Sequence, residues 1–377
     1  PSDRSPDNMS KPEEASSVAT AAAVSSDDSA SSVAQSTPLL NSVASFTPTP
    51  GRSRHCITGD EMSVDKFGRM MAGSSVYRLF YAYSTMISKD AVKARTVFDS
   101  NQMFNRYLDV PCYDENRVVL QNLPPESNYI HASFCDGFEK AKKYICAQAP
   151  LASTIDRFWE MCWQEKVTTI LAMYVPSYYF PVKSGDTVTH GPYTVLNQGT
   201  RNARGTYDAT VVLVTKGGES RTIVHFEYFD WPRFTTPGST HEILHLLVDL
   251  RYNHEQTRAK AEKEGWMKGD DVSPILVHCA TGAGRSGTII ALDIICDKLD
   301  KSNKIGTAVL DVTDTVSRLR SQRAMAVQKP EQFVVLNFLA LEYALRMKYF
   351  QPETASNLNM VNYYLYPEDG FEMIDSS

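Results

Sequence analysis

Apolar positions recur along this chain at two spacings, one helical and one strand-like. Val76, Leu79, Phe80, Tyr83 and Ile87 fall at helical spacing and predict an amphipathic helix over about 74–87. Residues 143–147 predict a short strand. Ser153 or Thr154 then stands where it can cap a helix whose Ile155, Phe158, Trp159 and Cys162 share one face. Residues 167–174 are apolar and β-rich, which suits a buried central strand. Runs at 193–197, 207–215 and 221–228 predict three more strands. Ile243, Leu246, Leu247 and Leu250 mark a helix, whose charged continuation over 255–271 reads as a solvated helix end and loop. Residues 274–278 read as a strand and 287–299 as the helix after it. Helices at about 307–321 and 330–347 complete the pattern, which is that of an α/β protein.

The two ends follow a different logic. Residues 1–50 hold 13 Ser, 8 Ala and 6 Pro, with Phe46 the sole aromatic. Such a stretch buries too little apolar area to offset its ordering entropy, so 1–60 is expected to be a disordered tail. Its Ser5-Pro6, Thr37-Pro38, Thr47-Pro48 and Thr49-Pro50 pairs are candidate proline-directed phosphorylation sites. Order is expected over 61–348. Residues 349–377 contain no Lys or Arg but carry Glu353, Glu368, Asp369, Glu372 and Asp375, with Tyr363, Tyr364 and Tyr366 as candidate kinase targets.

Composition narrows the class. The 377 residues are 42% hydrophobic and 22% charged, with 38 Lys and Arg against 44 Asp and Glu, a net charge of −6. That balance disfavours a nucleic-acid or anionic-membrane surface, and any basic site must be a local pocket. No run reaches the roughly 18–20 apolar residues of a membrane span, and 19–24 is too short for a signal-peptide core. Seven cysteines form no C-x-x-C pair, so neither a disulfide scaffold nor a zinc site is expected. These features suit a soluble protein of the reducing cytoplasm, with no metal and no cofactor.

The chemistry concentrates in Val277-His278-Cys279-Ala280-Thr281-Gly282-Ala283-Gly284-Arg285-Ser286-Gly287. This segment follows a strand and opens a helix, so its N–H groups can converge on an anion. Gly282 and Gly284 let the backbone turn inward, and Arg285 offers a planar fork to two phosphate oxygens. A cysteine heading such a loop is biased toward the nucleophilic thiolate. Two rivals compete. Gly282-Ala-Gly284-Arg-Ser-Gly287 is also a dinucleotide fingerprint, but no second parallel strand with an acidic end follows at the right distance. A cysteine protease ranks lower still, because His278, the strand neighbour of Cys279, points to the opposite face and is poorly placed to act as its base.

The His278-Cys279-x5-Arg285-Ser286 segment resembles the signature of the phosphotyrosine-specific protein tyrosine phosphatases. The resemblance extends over about 98–346. It includes Asn105-Arg106-Tyr107-Leu108-Asp109-Val110, the 113–118 and 128–133 segments, Gln148-Ala149-Pro150, Phe158-Trp159-Glu160-Met161 and the 327–333 segment around Gln328 and Gln332. It implies a highly twisted mixed β-sheet flanked by helices. It also implies attack of Cys279 on phosphorus, Arg285 and the 280–284 backbone around the phosphate, and Ser286 stabilising the departing sulfur. Tyr107 would stack on the substrate ring, and Asp109 would accept a hydrogen bond from its backbone. Gln328 and Gln332 would place the hydrolytic water. The implied partner is a phosphotyrosine-containing protein, a tyrosine-phosphorylated kinase among the candidates.

The sequence departs from that family where a proton is delivered. The mobile acid loop, W-P-D-x-G-x-P in the family, is here Trp231-Pro232-Arg233-Phe234-Thr235-Thr236-Pro237. Arg233 stands at the general-acid position, and a guanidinium with a pKa above about 12 is no useful donor. Losing a positioned acid costs about 10²–10⁴ in rate. Asp230 and Glu227 are nearby carboxylates, and aiming Asp230 would need a register change past Trp231. Phe104 replaces a usual Lys, His131 a usual Asn, and Ala280, Thr281 and Ala283 vary within the loop. Two readings follow: a slow phosphatase, with Arg233 an added cation favouring dianionic phosphate, or a pseudophosphatase that sequesters its phosphotyrosine partner.

Overall fold

A computed structural model describes residues 55–73, 76–174, 179–203, 205–232 and 235–350. The Ser/Thr-Pro pairs, the acidic tail beyond 350, and Arg233 lie outside these residues.

The core is one nine-stranded mixed sheet. Its order is β2 (Arg117–Val119), β3 (Tyr129–Cys135), β4 (Tyr144–Gln148), β10 (Ile275–Cys279), β5 (Thr169–Ala172), β9 (Glu219–Tyr228), β8 (Tyr207–Lys216), β7 (Tyr193–Ala203) and β6 (Thr187–His190). The central strands β4, β10, β5 and β9 run parallel, and every residue of β4, β10 and β5 is buried. Parallel strands need both faces covered, which is why these runs are continuously apolar. Outer strand β7 begins with a buried residue at every second position, as a half-covered strand should.

Helices cover both faces. On one lies α4 (Ile155–Gln164), whose Phe158, Trp159 and Cys162 pack on Ile145, Ile170 and Leu276. On the other lie α1 (Val64–Gly73), α2 (Val76–Ile87), α5 (Thr240–Lys263), α6 (Gly284–Lys304), α7 (Val312–Gln322) and α8 (Pro330–Arg346). The short α3 (Thr96–Ser100) precedes the 105–110 loop. A separate two-stranded sheet pairs β1 (Met62–Ser63) with β11 (Val309–Leu310).

The α/β class and the flanked mixed sheet match the sequence expectation, while several boundaries move. Thr154 does not cap α4: its Oγ1 accepts from the Leu151 N–H at 2.9 Å, closing the preceding turn instead. Helix α6 starts at Gly284, three residues early, inside the loop that carries the chemistry. The helix expected over 307–321 is a short strand followed by α7, which Asp311 caps by accepting from the Asp314 N–H at 2.8 Å. The charged end of α5 continues to Lys263 with His254, Thr257 and Ala261 buried, so it is packed on one side. Packing already includes His55, bridged to Phe138, and reaches Phe350.

One ion cluster ties the elements that carry the loop. Asp293 of α6, 3% exposed, accepts from Lys143 Nζ at 2.7 Å and also binds Arg251 of α5 and the Tyr144 hydroxyl of β4. Burial works against its charge, but Arg251 and Lys143 hold its carboxyl well below the usual range. Asp293→Ala leaves Lys143 and Arg251 with Asp297 and Asp300 but strips each of one partner, and is expected to lower stability by about 1–3 kcal/mol, measured by urea unfolding at pH 7. Because the folded-state pKa is depressed, that stabilisation is complete above the unfolded carboxylate value and is lost as pH falls below about 4. The gap between wild type and variant should therefore narrow in acid.

Candidate active site

Cys279 is the last residue of β10, and its loop runs directly into α6. The strand end is pinned from both sides: the Cys279 carbonyl accepts from the Ala149 N–H and the His278 carbonyl from the Met173 N–H, each at 2.8 Å. Gly282 has φ +64°, and a Cβ there would sit 2.1 Å from the Ala147 carbonyl oxygen, so only glycine fits. The Gly282 carbonyl accepts from Arg323 Nε at 2.8 Å and from the Cys146 thiol at 3.0 Å. The Thr281 carbonyl accepts from Arg323 at 3.0 Å, and that of Ala283 from the Gly287 and Val327 N–H groups. With its carbonyls engaged, the loop opens a 21-residue helix whose first N–H groups have no partner within it. That is the construction of an anion cradle.

The thiol at its floor is 2% exposed. Burial alone would raise its pKa, but the Ser286 hydroxyl and N–H, the Arg285 charge and the Ala283 N–H bring it below the ordinary thiol value. Burial pushes Cys112, Cys162 and Cys296 the other way. All seven cysteines are free. His278 cannot serve Cys279 as a base. Its Nε2 lies 2.6 Å from the Tyr179 hydroxyl, which also meets His225 Nε2 at 2.5 Å, and burial drops its pKa to about 3.

Arg285, 9% exposed, donates to the Trp231 carbonyl at 2.7 Å, and Trp231 Nε1 donates to the Thr235 carbonyl at 2.8 Å. The cradle arginine thus holds the first residue of the 231–237 loop. Arg233, Ala280 and Thr281 were all singled out in sequence; Arg233 lies outside the described residues, while Ala280 and Thr281 line the loop beside Cys279. Neither rescue carboxylate faces the thiol. Asp230 turns onto its own loop, where a Cβ on Gly238 would meet Oδ2 at 2.9 Å. Glu227 is in register with Ala172 and so with His278, on the face opposite Cys279.

The 105–110 loop, which the family resemblance casts as the recognition loop, is anchored at its start. Asn105 Oδ1 accepts from the Tyr129 hydroxyl at 2.6 Å, and its amide donates to the Phe98 carbonyl at 3.0 Å. The Arg106 N–H donates to Gln148 Oε1 at 2.9 Å, and its guanidinium to the Ala149 and Pro150 carbonyls. Tyr107 is half-buried and Asp109 exposed. On the far side Val327 N–H meets Ala283, and Gln332, buried, covers Gly284 so closely that a Cβ there would lie 2.8 Å from its amide. Gln328 is half-buried, its carbonyl held by the Tyr83 hydroxyl at 2.7 Å. The 105–106, 148–150 and 327–332 segments, far apart along the chain, therefore meet around the Cys279 loop.

Sequence reasoning missed Arg323. It is fully buried, and it donates to the Gly282 and Thr281 carbonyls, Ser133 Oγ and His131 Nδ1. A lone arginine at a helix end carries no local signal of this. The dinucleotide alternative also fails in space, since α6 leads into β11 and its small antiparallel pair with β1. Among the described residues, no three His, Cys, Asp or Glu side chains gather as metal ligands, and no helix is long and apolar enough to cross a membrane.

Comparison with known proteins places the same residues in context. A family profile described as protein-tyrosine phosphatase matches residues 101–342. Tyrosine-protein phosphatase non-receptor type 9 of Mus musculus is 35% identical over 255 residues, 64% of this chain and 42% of that protein. Receptor-type tyrosine-protein phosphatase C of Homo sapiens is 33% identical over 300 residues, 76% of this chain and 21% of that protein. Tyrosine phosphatase-like protein J1 of Microplitis demolitor bracovirus is 30% identical over 257 residues, 66% of this chain and 83% of that protein. The chain spans about two fifths of the non-receptor relative it matches.

If Cys279 is a lowered-pKa thiolate in an anion cradle, iodoacetate should alkylate it first among the seven cysteines. Its rate should fall less steeply from pH 8 toward 6 than that of an ordinary thiol, which slows about tenfold per unit. Inorganic phosphate should protect it. Uniform labelling by peptide mass mapping, with no protection, would mean the cradle is not formed.

Proposed function

The chain belongs to the protein-tyrosine phosphatase family, and from that premise we propose that its domain binds phosphotyrosine and hydrolyses it slowly through a Cys279 phosphoenzyme. One observation carries the reading: a thiol biased to its thiolate stands beside Arg285, and Arg285 is bonded to the residue that opens the loop bearing Arg233. In this mechanism the Cys279 sulfur forms a bond to phosphorus while the phosphorus–phenol oxygen bond breaks. Arg285 and the loop N–H groups hold the nonbridging oxygens, and Ser286 later stabilises the sulfur as water takes the phosphoryl group. Gln328 and Gln332 place that water, Tyr107 stacks on the substrate ring, and Asp109 accepts from the substrate backbone. The phenolate leaves with a conjugate pKa near 10 and, with arginine at position 233, without a positioned proton.

The same substitution supports a second reading, a pseudophosphatase that sequesters a phosphotyrosine protein. In both, the partner is a phosphotyrosine-containing protein. Seven free cysteines support residence in a reducing compartment, the cytoplasm in this reading.

Leaving-group dependence tests the proposal. An aryl phosphate with an acidic phenol should be cleaved, and a phosphotyrosyl peptide should be nearly inert. Arg233→Asp should raise phosphotyrosine turnover by about 10²-fold or more and scarcely change the acidic-phenol substrate. Equal gains on both would indicate relief of a blocked pocket. No gain on either, with peptide binding intact, would favour the sequestering reading.

A further inference from the structure

The recognition loop has a second anchor, at its end, and it connects to the cradle. His131 lies on β3, 2% exposed, with its ring edge-on to Phe98 at 5.6 Å. Its Nδ1 is 3.1 Å from Arg323 and its Nε2 is 2.8 Å from the Val110 carbonyl oxygen. These two contacts fix the tautomer. Arginine has only donors, so Nδ1 must accept, and the proton sits on Nε2, which donates to Val110. Burial, reinforced by the Arg323 charge, drops the His131 pKa to about 3, so the ring is neutral throughout the physiological range.

The chain of contacts is continuous. Thr281 and Gly282 of the cradle bind Arg323, Arg323 binds His131, and His131 binds Val110, the residue after Asp109. Tyr107 and Asp109 therefore hang between two fixed points: Asn105 and Arg106 before them, Val110 after them. We propose that His131 is a positioning residue that sets where the recognition loop stands relative to the phosphate cradle, and so controls affinity for the phosphotyrosyl peptide without controlling affinity for phosphate itself. The proposal rests on the phosphotyrosine-binding reading above.

The side-chain geometry offers a clean separation. In His131→Asn, Oδ1 falls near the position of Nδ1 and still accepts from Arg323. Its amide stops one atom short of Nε2 and cannot reach Val110. The cradle anchor is kept and the loop anchor is lost, leaving the buried Val110 carbonyl without its donor. Phosphopeptide affinity, measured by calorimetry on the full chain in a Cys279→Ser background, should weaken about tenfold. Protection of Cys279 by inorganic phosphate, measured with the thiol intact, should change less than about twofold. His131→Gln, whose amide reaches Val110, should restore most of the phosphopeptide affinity that His131→Asn loses. Imidazole ¹⁵N shifts of the unsubstituted protein should show Nε2 protonated, Nδ1 bare and no titration between pH 5 and 8.

Equal loss of peptide and phosphate affinity in His131→Asn would mean a merely structural histidine. Unchanged peptide affinity, or an Nδ1-protonated ring, would overturn the proposal while leaving the phosphotyrosine reading intact. A parent protein that is protected by phosphate yet binds no phosphopeptide would sink the reading and the proposal together.

Discussion

The fold depends on turning one loop inside out. A loop can aim its N–H groups at an anion only if its carbonyls are satisfied elsewhere, because a buried unpaired carbonyl costs about 1–3 kcal/mol. Here the elsewhere is largely Arg323, a fully buried cation that takes the Thr281 and Gly282 carbonyls on one fork. Ser133 and His131, which it also meets, are neutral. The arrangement places a second positive charge behind the cradle in addition to Arg285. Gly282 completes it by bringing the backbone against the Ala147 carbonyl, closer than any side chain allows.

The surrounding architecture holds the loop's two ends. Parallel pairing fixes β10 between β4 and β5, and the bonds from Ala149 and Met173 continue the ladder past the last strand residue. Asp293 fastens α6, the helix that the loop opens, to β4 and α5. The α2 hydroxyl of Tyr83 fastens the 327–328 carbonyls on the opposite side. Sheet, helices and loop are thus one constraint expressed at three scales.

Much of this was legible in sequence because it is local. Strand β10, the glycine-rich turn and the helix after it announce themselves within a dozen residues, and the apolar runs of β4 and β5 betray strands covered on both faces. What was not legible is long-range. The N-terminal part of α6 looked like loop because Gly284 is a poor helix former, yet the cradle requires the helix to begin there. Residues 307–310 kept a helical look, although the two-residue pairing with Met62 and Ser63 draws them into a strand. Arg323 acts on residues about 40 and 190 positions away, a relation that no window of sequence contains. His131 was visible only as a departure from a resembling block; its tautomer and its two partners exist only once β3, α7's end and the recognition loop meet.

The boundary between enzyme and binding protein is set by a ratio of rates. Ordinary association at about 10⁶–10⁷ M⁻¹s⁻¹ with micromolar affinity implies release at about 1–10 per second. A typical turnover of about 10 per second, reduced by the 10²–10⁴ that a positioned acid supplies, becomes about 10⁻¹ to 10⁻³ per second. In the proposed reading most encounters would then end with the phosphotyrosine released unreacted. In the proposed reading Arg233 would enter this ratio on both sides, because an arginine at the acid position is no proton donor and is a cation that would slow release of a dianion. A single substitution in one loop is therefore enough, on magnitudes alone, to move a phosphatase-family site from turnover toward retention.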